Sequence, residues 1–298
     1  MSDSIISQFL IKHKLPEEYK QNVLDWFSPV ADKLVSKQQQ LKKPLVVGVN
    51  GAQGSGKSTL SDLLETLFVE KYELNAVTLS IDDFYYTRQE RLDLAESVHP
   101  LLATRGVPGT HDVSLALDCL YGLLRGDVVR VPRFEKARDD RYPEQQWSVI
   151  YEPVDIIILE GWCVGAEAQT PEQLIAPIND LEAQQDPDLV WRHYVNRQLQ
   201  ASYADLFNLI DCWIMLKAPS FDVVYNWRLE QEHKLRASQS TIKETMDDET
   251  IAQFIKFYQR ITEHILGTLP DKVDFLFELD SHRKITQLKQ RQGRKNAS

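Results

Sequence analysis

Five short apolar runs, rich in β-branched residues, recur along the chain and are separated by segments of helical periodicity. The runs lack the polar alternation of half-exposed strands, which is typical of strands that helices bury on both faces. Strands that alternate with helices predict a parallel sheet with right-handed crossovers, and therefore an α/β fold. The runs are LVVGVN (45–50), AVTLSI (76–81), VDIIILEG (154–161), CWIMLK (212–217) and VDFLFELD (273–280).

Two of the intervening segments show one apolar face at the spacing of an α-helix. One lies near the end of the chain, from Ile251 to Ile265, and the other follows directly on a glycine-rich loop. The apolar positions of the helix after the loop are Leu60, Leu63, Leu64, Leu67 and Phe68.

The arrangement of these elements predicts one domain with additions. Residues 1–43 are expected to form a helical N-terminal extension packed on the core, with a helix that opens at Pro16. Residues 44–298 carry the five-stranded sheet, and insertions at 84–153 and 162–211 interrupt its regular alternation. Loops of this length in a compact α/β protein usually bind the substrate, so we assign that role to the insertions.

Charge and composition exclude several classes of function. The net charge of −10 argues against a nucleic-acid-binding surface. No segment approaches 18 uninterrupted apolar residues, which predicts no membrane span. Three widely spaced cysteines resemble buried apolar residues in a reducing compartment, and no leader pattern opens the chain, so we expect a cytoplasmic protein. The sequence identifies no protein partner.

The glycine-rich loop matches the phosphate-loop motif G-x-x-x-x-G-K-[ST]. Its backbone N–H groups and the following helix N-terminus are suited to phosphate oxygens of ATP. Lys57 would reach the β- and γ-phosphates and Ser58 would ligate Mg²⁺. A plain strand–helix turn is the alternative, which the apolar strand before the loop and the apolar-faced helix after it disfavour. The predicted ATP-binding residues are Gly51, Gln53, Gly54, Ser55, Gly56, Lys57, Ser58 and Thr59.

Acidic residues follow two further strands. Asp82 and Asp83 come after the second run, where the carboxyl ends of parallel strands meet at one edge of the sheet. A carboxylate there can accept a hydroxyl proton or help to hold Mg²⁺, whereas a helix-capping pair is the alternative. Glu160 ends the third run, and we assign it to Mg²⁺.

The first insertion contains a glycine turn and a basic stretch. The turn ATRGVPGTHD presents Thr110, His111 and Asp112, and capping of the next helix is an alternative role for Thr110 and Asp112. The basic stretch in an acidic protein suggests a small anionic ligand, and a solvated loop of salt bridges is the alternative. The basic residues are Arg133, Lys136, Arg138 and Arg141.

A helix after the fourth run places Arg228, Glu232 and Arg236 on one face, at i, i+4 and i+8. This face is either a surface ladder of ion pairs or a set of arginines that close over a transferring phosphate. We favour the second interpretation.

Taken together, GxxGxGKST, SIDDFY, RGxxGTHD, VPRF-K, LEGW and WRLxxE resemble the D-glycerate 3-kinase family, in order, from about residue 44 to 280. That family belongs to the phosphate-loop kinases, with uridine kinase, pantothenate kinase and phosphoribulokinase. The resemblance implies a three-layer sandwich of the P-loop NTPase type and phosphorylation of D-glycerate by ATP. It also implies Asp82 as general base. The expected acceptor-binding residues are Asp83, Tyr85, Thr110, His111, Asp112, Arg133 and Arg236, with Lys57 and Arg228 as catalytic residues beside Asp82.

Two other functions stay open at this point. The first is a kinase of the same group that acts on a nucleoside, pantothenate or a sugar phosphate. The second is a regulatory protein that hydrolyses ATP slowly, which Asp82, Asp83 and the basic insertion disfavour. The insertion 162–211 aligns poorly with the family, and the loop KARDDRYP is more compact than in its plant members.

Overall fold

The fold is built around a six-stranded sheet, one strand more than the sequence predicts. The structure is a computed structural model and describes residues 2–238 and 248–291. In chain order the strands are β1 (Leu45–Gly51), β2 (Ala76–Ser80), β3 (Val129–Val131), β4 (Phe134–Glu135), β5 (Asp140–Arg141), β6 (Ser148–Ile150), β7 (Ile156–Gly161), β8 (Cys212–Lys217), β9 (Phe275–Leu279) and β10 (Ile285–Gln290).

The main sheet has the strand order β10-β9-β8-β1-β7-β2, and its first five strands along the chain are those that the apolar runs predict. They pair in parallel, and every residue of β1 and β7 is buried. The prediction of five strands is wrong because β10 adds an antiparallel edge strand beside β9. Only Ile285 of β10 is buried, so this strand has no apolar run to reveal it.

Helices lie on both sides of the sheet. The helix after the phosphate loop, α4, contacts β1, β2 and β7 on one side. On the other side, Phe207 packs against Trp213 of β8 and Trp162 packs against Tyr258. The helices are α1 (Ser2–His13), α2 (Tyr19–Asn22), α3 (Ser28–Gln40), α4 (Lys57–Tyr72), α5 (Arg88–Ser97), α6 (Val113–Arg125), α7 (Pro171–Ile175), α8 (Asp180–Gln185), α9 (Val190–Gln200), α10 (Ser202–Phe207), α11 (Phe221–Ser238) and α12 (Asp248–Thr268).

Residues 2–43 hold α1 and a helical stretch from Tyr19 to Gln40, which begins three residues after Pro16, where the sequence predicts that a helix opens. Between α2 and α3 the chain forms one π-helical turn, Val23–Phe27, which buries Val23 and Phe27. Leu24, which the periodicity places on the apolar face, is 40% exposed because the wider turn shifts the register. Phe27 packs edge-on against Phe277 of β9, and α1 and α3 both contact α4.

The first insertion holds α5, α6 and two small antiparallel sheets, β3 with β6 and β4 with β5. The second insertion holds α7 to α10, and buried ion pairs join it to α12 and connect its own segments. Arg260 of α12 lies 2.6 Å from Glu182, and Arg192 lies 2.9 Å from Asp186. All four side chains are at most 8% exposed, so each charge depends on its partner.

Within the described ranges, none of the helices combines the length and the apolar character that crossing a membrane requires.

Candidate active site

The phosphate loop connects β1 to α4 and is held open by glycines. Gly54 and Gly56 have φ angles of 76° and 93°, a left-handed conformation that favours glycine. A Cβ on Gly51 would lie 2.4 Å from Ser55 Oγ and 3.2 Å from Lys57 Cβ, so a side chain there would displace groups of the loop itself. The Ser55 hydroxyl and Gln53 Oε1 are buried and have no partner, as expected of a loop shaped for a ligand.

The start of α4 supplies further groups. The N–H groups of Lys57, Ser58 and Thr59 open α4, have no partner within the helix and lie at the positive end of its dipole. This is the arrangement that binds phosphate oxygens at helix N-termini.

Ser58 and Glu160 meet where a metal ion is expected. Ser58 Oγ donates to Glu160 Oε1 at 2.9 Å, and Lys57 Nζ lies 3.9 Å from Glu160 Oε2. Glu160 is buried, and its Oε2 accepts no hydrogen bond. No cluster of three His, Cys, Asp or Glu side chains occurs in the described part of the chain. Mg²⁺ beside a nucleotide takes few protein oxygens and fills its shell with phosphate and water oxygens, so this pair fits it.

Asp82 lies in the 3₁₀ turn after β2, on the same edge of the sheet. Its Oδ2 accepts a hydrogen bond from Lys136 Nζ at 2.6 Å. Burial raises the pKa of Asp82, but the charges of Lys136 and Lys57 outweigh burial and hold the pKa well below the ordinary aspartate value. Asp82 is therefore an ionised carboxylate, and it lies close enough to Lys57 for that charge to lower its pKa.

Asp83 has a structural partner. Its Oδ1 accepts the backbone N–H of Phe134 at 3.0 Å, which attaches the β4–β5 hairpin to the end of β2. Burial raises the pKa of Asp83, against the opposing effect of that N–H group. Tyr85 is buried and packs edge-on against Phe134. Asp83 is thus tied to the backbone of the hairpin, whereas the partner of Asp82 is a flexible lysine side chain.

His111 is buried beneath this turn. It stacks on Tyr85 with ring centroids 4.2 Å apart, and its Nδ1 lies 2.6 Å from the Tyr203 hydroxyl. That hydroxyl also accepts the N–H of Gly109 at 3.0 Å. Burial lowers the pKa of His111 to about 4, against the attraction of Asp82, so the ring is neutral at pH 7.

The protonated nitrogen of His111 follows from counting partners. If Tyr203 donates to Nδ1, the only unpaired group is the N–H at Nε2, which is buried without a partner. If Nδ1 donates instead, both the Tyr203 proton and Nε2 are unpaired in a buried place. We therefore assign the proton to Nε2, an N–H group that is buried without a partner, and the contact of His111 with an acceptor stays a prediction.

Thr110 and Asp112 have local roles. Thr110 is fully buried, and its hydroxyl donates to Val107 and accepts from Gly106 within the turn. Asp112 caps α6 by accepting the N–H of Leu115 at 3.0 Å. The capping interpretation holds for Asp112. The Thr110 hydroxyl has used its one donor proton within the turn and is fully buried, and the contact of Thr110 and Asp112 with an acceptor stays a prediction.

Comparison with known proteins identifies the family. The uncharacterized kinase mug58 of Schizosaccharomyces pombe is 36% identical over 241 residues, covering 78% of this chain and 84% of the relative. The chloroplastic D-glycerate 3-kinase of Arabidopsis thaliana is 31% identical over 259 residues, 80% of this chain and 53% of that enzyme. D-Glycerate 3-kinase from Cryptococcus neoformans has a similar structure, with a TM-score of 0.76 and 26% identity over 90% of this chain and 99% of that one. This chain belongs to the P-loop kinases related to D-glycerate 3-kinase.

The protein is thus an ATP-dependent kinase with the P-loop α/β fold. No protein-family model matches its sequence.

The basic stretch of the kinase divides into separate groups. Arg138 pairs with Glu135 at 3.4 Å, and Arg141 pairs with Asp112 at 3.5 Å, so the salt-bridged interpretation holds for these two. Arg133 is exposed, and its charge acts on the neighbouring Asp83. Its contact with an acceptor stays a prediction.

The arginines of α11 are only partly described. The guanidinium carbon of Arg228 lies 6.0 Å from the centre of the Phe254 ring in α12. The side chain of Arg236 lies outside the described residues. The assignment of both arginines to the transferring phosphate therefore stays a prediction.

Two supports of the kinase site escape sequence reasoning because they come from distant segments. Arg283, in the turn between β9 and β10, donates to the Gly54 carbonyl at 2.7 Å and stacks on Trp227. Tyr203 and Tyr194, from the second insertion, bind the N–H and the carbonyl of Gly109. This insertion therefore supports the turn that carries His111, a role that its sequence does not signal.

Proposed function

We propose that this kinase transfers the γ-phosphoryl group of ATP to a hydroxyl of a small anionic acceptor, D-glycerate, and gives 3-phosphoglycerate. The observation that carries the proposal is the position of Asp82. Its ionised carboxylate lies at the same sheet edge as Lys57, Ser58 and Glu160, with a lysine ammonium on its open side.

The residues of the site divide between those that hold ATP, the phosphoryl donor, and those that meet the acceptor. The loop 51–59 and Lys57 hold the phosphates of ATP, and Ser58 with Glu160 would hold Mg²⁺, which neutralises charge on the phosphates. An acceptor hydroxyl then lies between Asp82 and the γ-phosphorus. The acceptor oxygen bonds to phosphorus, the bond from phosphorus to the β,γ-bridging oxygen breaks, and the hydroxyl proton passes to Asp82.

The low pKa of Asp82 is compatible with this role. The transition state of phosphoryl transfer is loose, so the acceptor proton leaves late and a strong base is not required. Positioning and charge neutralisation supply most of the acceleration.

The three cysteines are buried and unpaired, which supports action in a reducing compartment such as the cytoplasm.

Release of ADP with a panel of acceptors tests the proposal. We expect D-glycerate to stimulate release and Lys57→Ala to abolish it. Stimulation by uridine, pantothenate or a sugar phosphate in place of D-glycerate would move the protein to another acceptor within the same group. Slow release that no acceptor stimulates would favour a regulatory ATPase.

A further inference from the structure

The ion pair between Lys136 and Asp82 spans the gap between the hairpin and the sheet edge. Lys136 lies in the β4–β5 turn, and its side chain is 63% exposed although its ammonium reaches Asp82. The base of the hairpin is fixed by the hydrogen bond from Phe134 to Asp83. Only the flexible stem of Lys136 therefore has to move for the ammonium to change partner.

Three arginines around Lys136 have carboxylate partners elsewhere, whereas Arg133 is exposed and its charge acts on Asp83. Arg105 pairs with Asp139, and Arg138 pairs with Glu135. Arg141 lies 3.5 Å from Asp112 and 3.6 Å from Glu90. Lys136 differs from these arginines because its partner is the carboxylate that we propose as the general base.

This contact occupies the carboxylate that we propose as the base. An ammonium held at 2.6 Å blocks Oδ2 of Asp82, so the acceptor hydroxyl has to compete with Lys136 for the base. The Asp82 carboxylate also raises the pKa of Lys136, so the lysine stays charged and does not leave by deprotonation. Another anion has to take the ammonium away.

We propose that Lys136 binds the anionic group of the acceptor, and that acceptor binding draws its ammonium off Asp82 and frees the base. This inference rests on the proposed function and names the group that selects the acceptor. The exchange replaces one carboxylate partner by another and leaves the number of ion pairs unchanged. It also keeps Asp82 blocked while the acceptor site is empty, which suppresses transfer of the phosphoryl group to water.

Three variants test the exchange: Lys136→Met, Lys136→Arg and, as a control in the same hairpin, Arg138→Met. We would measure kcat and KM for D-glycerate and for glycerol, its neutral analogue, together with ADP release without acceptor. A charged hydrogen bond is worth enough that Lys136→Met should raise the KM for D-glycerate by about 10- to 150-fold. The KM for ATP and the KM for glycerol should stay within a factor of about 2, because neither ligand offers a carboxylate to Lys136.

Release of ADP without acceptor should rise in Lys136→Met. The variant Lys136→Arg should recover most of the affinity for D-glycerate that Lys136→Met loses, and the control Arg138→Met should match the wild type. An unchanged KM for D-glycerate, or a fall in kcat alone, would overturn the inference, since either places Lys136 outside acceptor binding.

The proposed function can fail separately from this inference. If the wild type phosphorylates another anionic acceptor, the same variants are compared with that acceptor and its neutral analogue. If the wild type uses no acceptor, unchanged release of ADP by Lys136→Met overturns the exchange.

Discussion

Gly54 and Gly56 offer a matched pair of substitutions in the phosphate loop. Both have a left-handed backbone, so an alanine at either position loses about 1–2 kcal/mol to strain. A Cβ on Gly54 would lie 2.8 Å from the Cβ of Trp227, whereas a Cβ on Gly56 meets no atom within 4 Å. Gly54→Ala should therefore destabilise the nucleotide-free protein more than Gly56→Ala does.

The size of the difference follows from how firmly Trp227 is held. The indole is 2% exposed and donates to the Ser281 carbonyl at 2.7 Å, while Arg283 stacks on its ring. Because Trp227 cannot move aside freely, overpacking should add about 1–3 kcal/mol for Gly54→Ala. For a chain of this length each kcal/mol lowers Tm by roughly 2 °C. We expect Tm to fall by about 2–4 °C in Gly56→Ala and by about 4–10 °C in Gly54→Ala.

Thermal unfolding of the nucleotide-free variants, followed by circular dichroism and supported by urea midpoints, measures both shifts. Equal shifts, or a larger shift for Gly56→Ala, would refute the packing of the loop against α11.

Three further predictions concern the base, the buried histidine and the second insertion. Asp82→Asn should lower kcat by about 10²- to 10⁴-fold, while calorimetry finds ATP affinity little changed. Burial lowers the pKa of His111 from 6.5 to about 4, so the unfolded state binds the proton more tightly than the folded state does. The folded state therefore has about 3 kcal/mol of stability above pH 6.5 that should be lost as the pH falls to 4. Urea unfolding across that range should show the loss in the wild type and a smaller one in His111→Gln. Glu182→Ala leaves Arg260 buried without its carboxylate and should destabilise the fold by about 3–5 kcal/mol in the same assay.

Each of these has a result that would contradict it. Near-normal turnover by Asp82→Asn would remove Asp82 as the base. An identical pH dependence in His111→Gln would show that other groups dominate acid unfolding. A fall of less than about 1 kcal/mol in the free energy of unfolding of Glu182→Ala would mean that the ion pairs of Glu182 are solvated, as exposed ion pairs are.

The sequence predicts well the elements whose signal is local. The strands next to β1 are continuous apolar runs because helices bury both of their faces. All five strands that the sequence predicts are confirmed. The strand β10 lacks this signal because it lies at the edge of the sheet with only Ile285 buried. The π turn at Val23–Phe27 is similarly invisible, since it changes the register of a helix without changing its composition.

In the site, too, the features with a local signal can be predicted from the sequence and the contacts between distant residues cannot. The phosphate loop can be read from the sequence because its glycines and Lys57 lie within nine residues, on one turn. The contact of Lys136 with Asp82 joins residues 54 positions apart, and that of His111 with Tyr203 joins residues 92 apart. Sequence spacing does not give such distances. The basic stretch therefore suggested an anionic ligand without distinguishing Lys136 from the arginines that stabilise the hairpin.

The most direct test of the central claim is the fate of the γ-phosphoryl group. The kinase would be incubated with MgATP and D-glycerate, and the phosphorus-containing products would be identified by ³¹P NMR. The account predicts 3-phosphoglycerate in amounts equal to the ADP formed, and neither product with Lys57→Ala. Inorganic phosphate as the only product beside ADP, with D-glycerate unchanged, would contradict it.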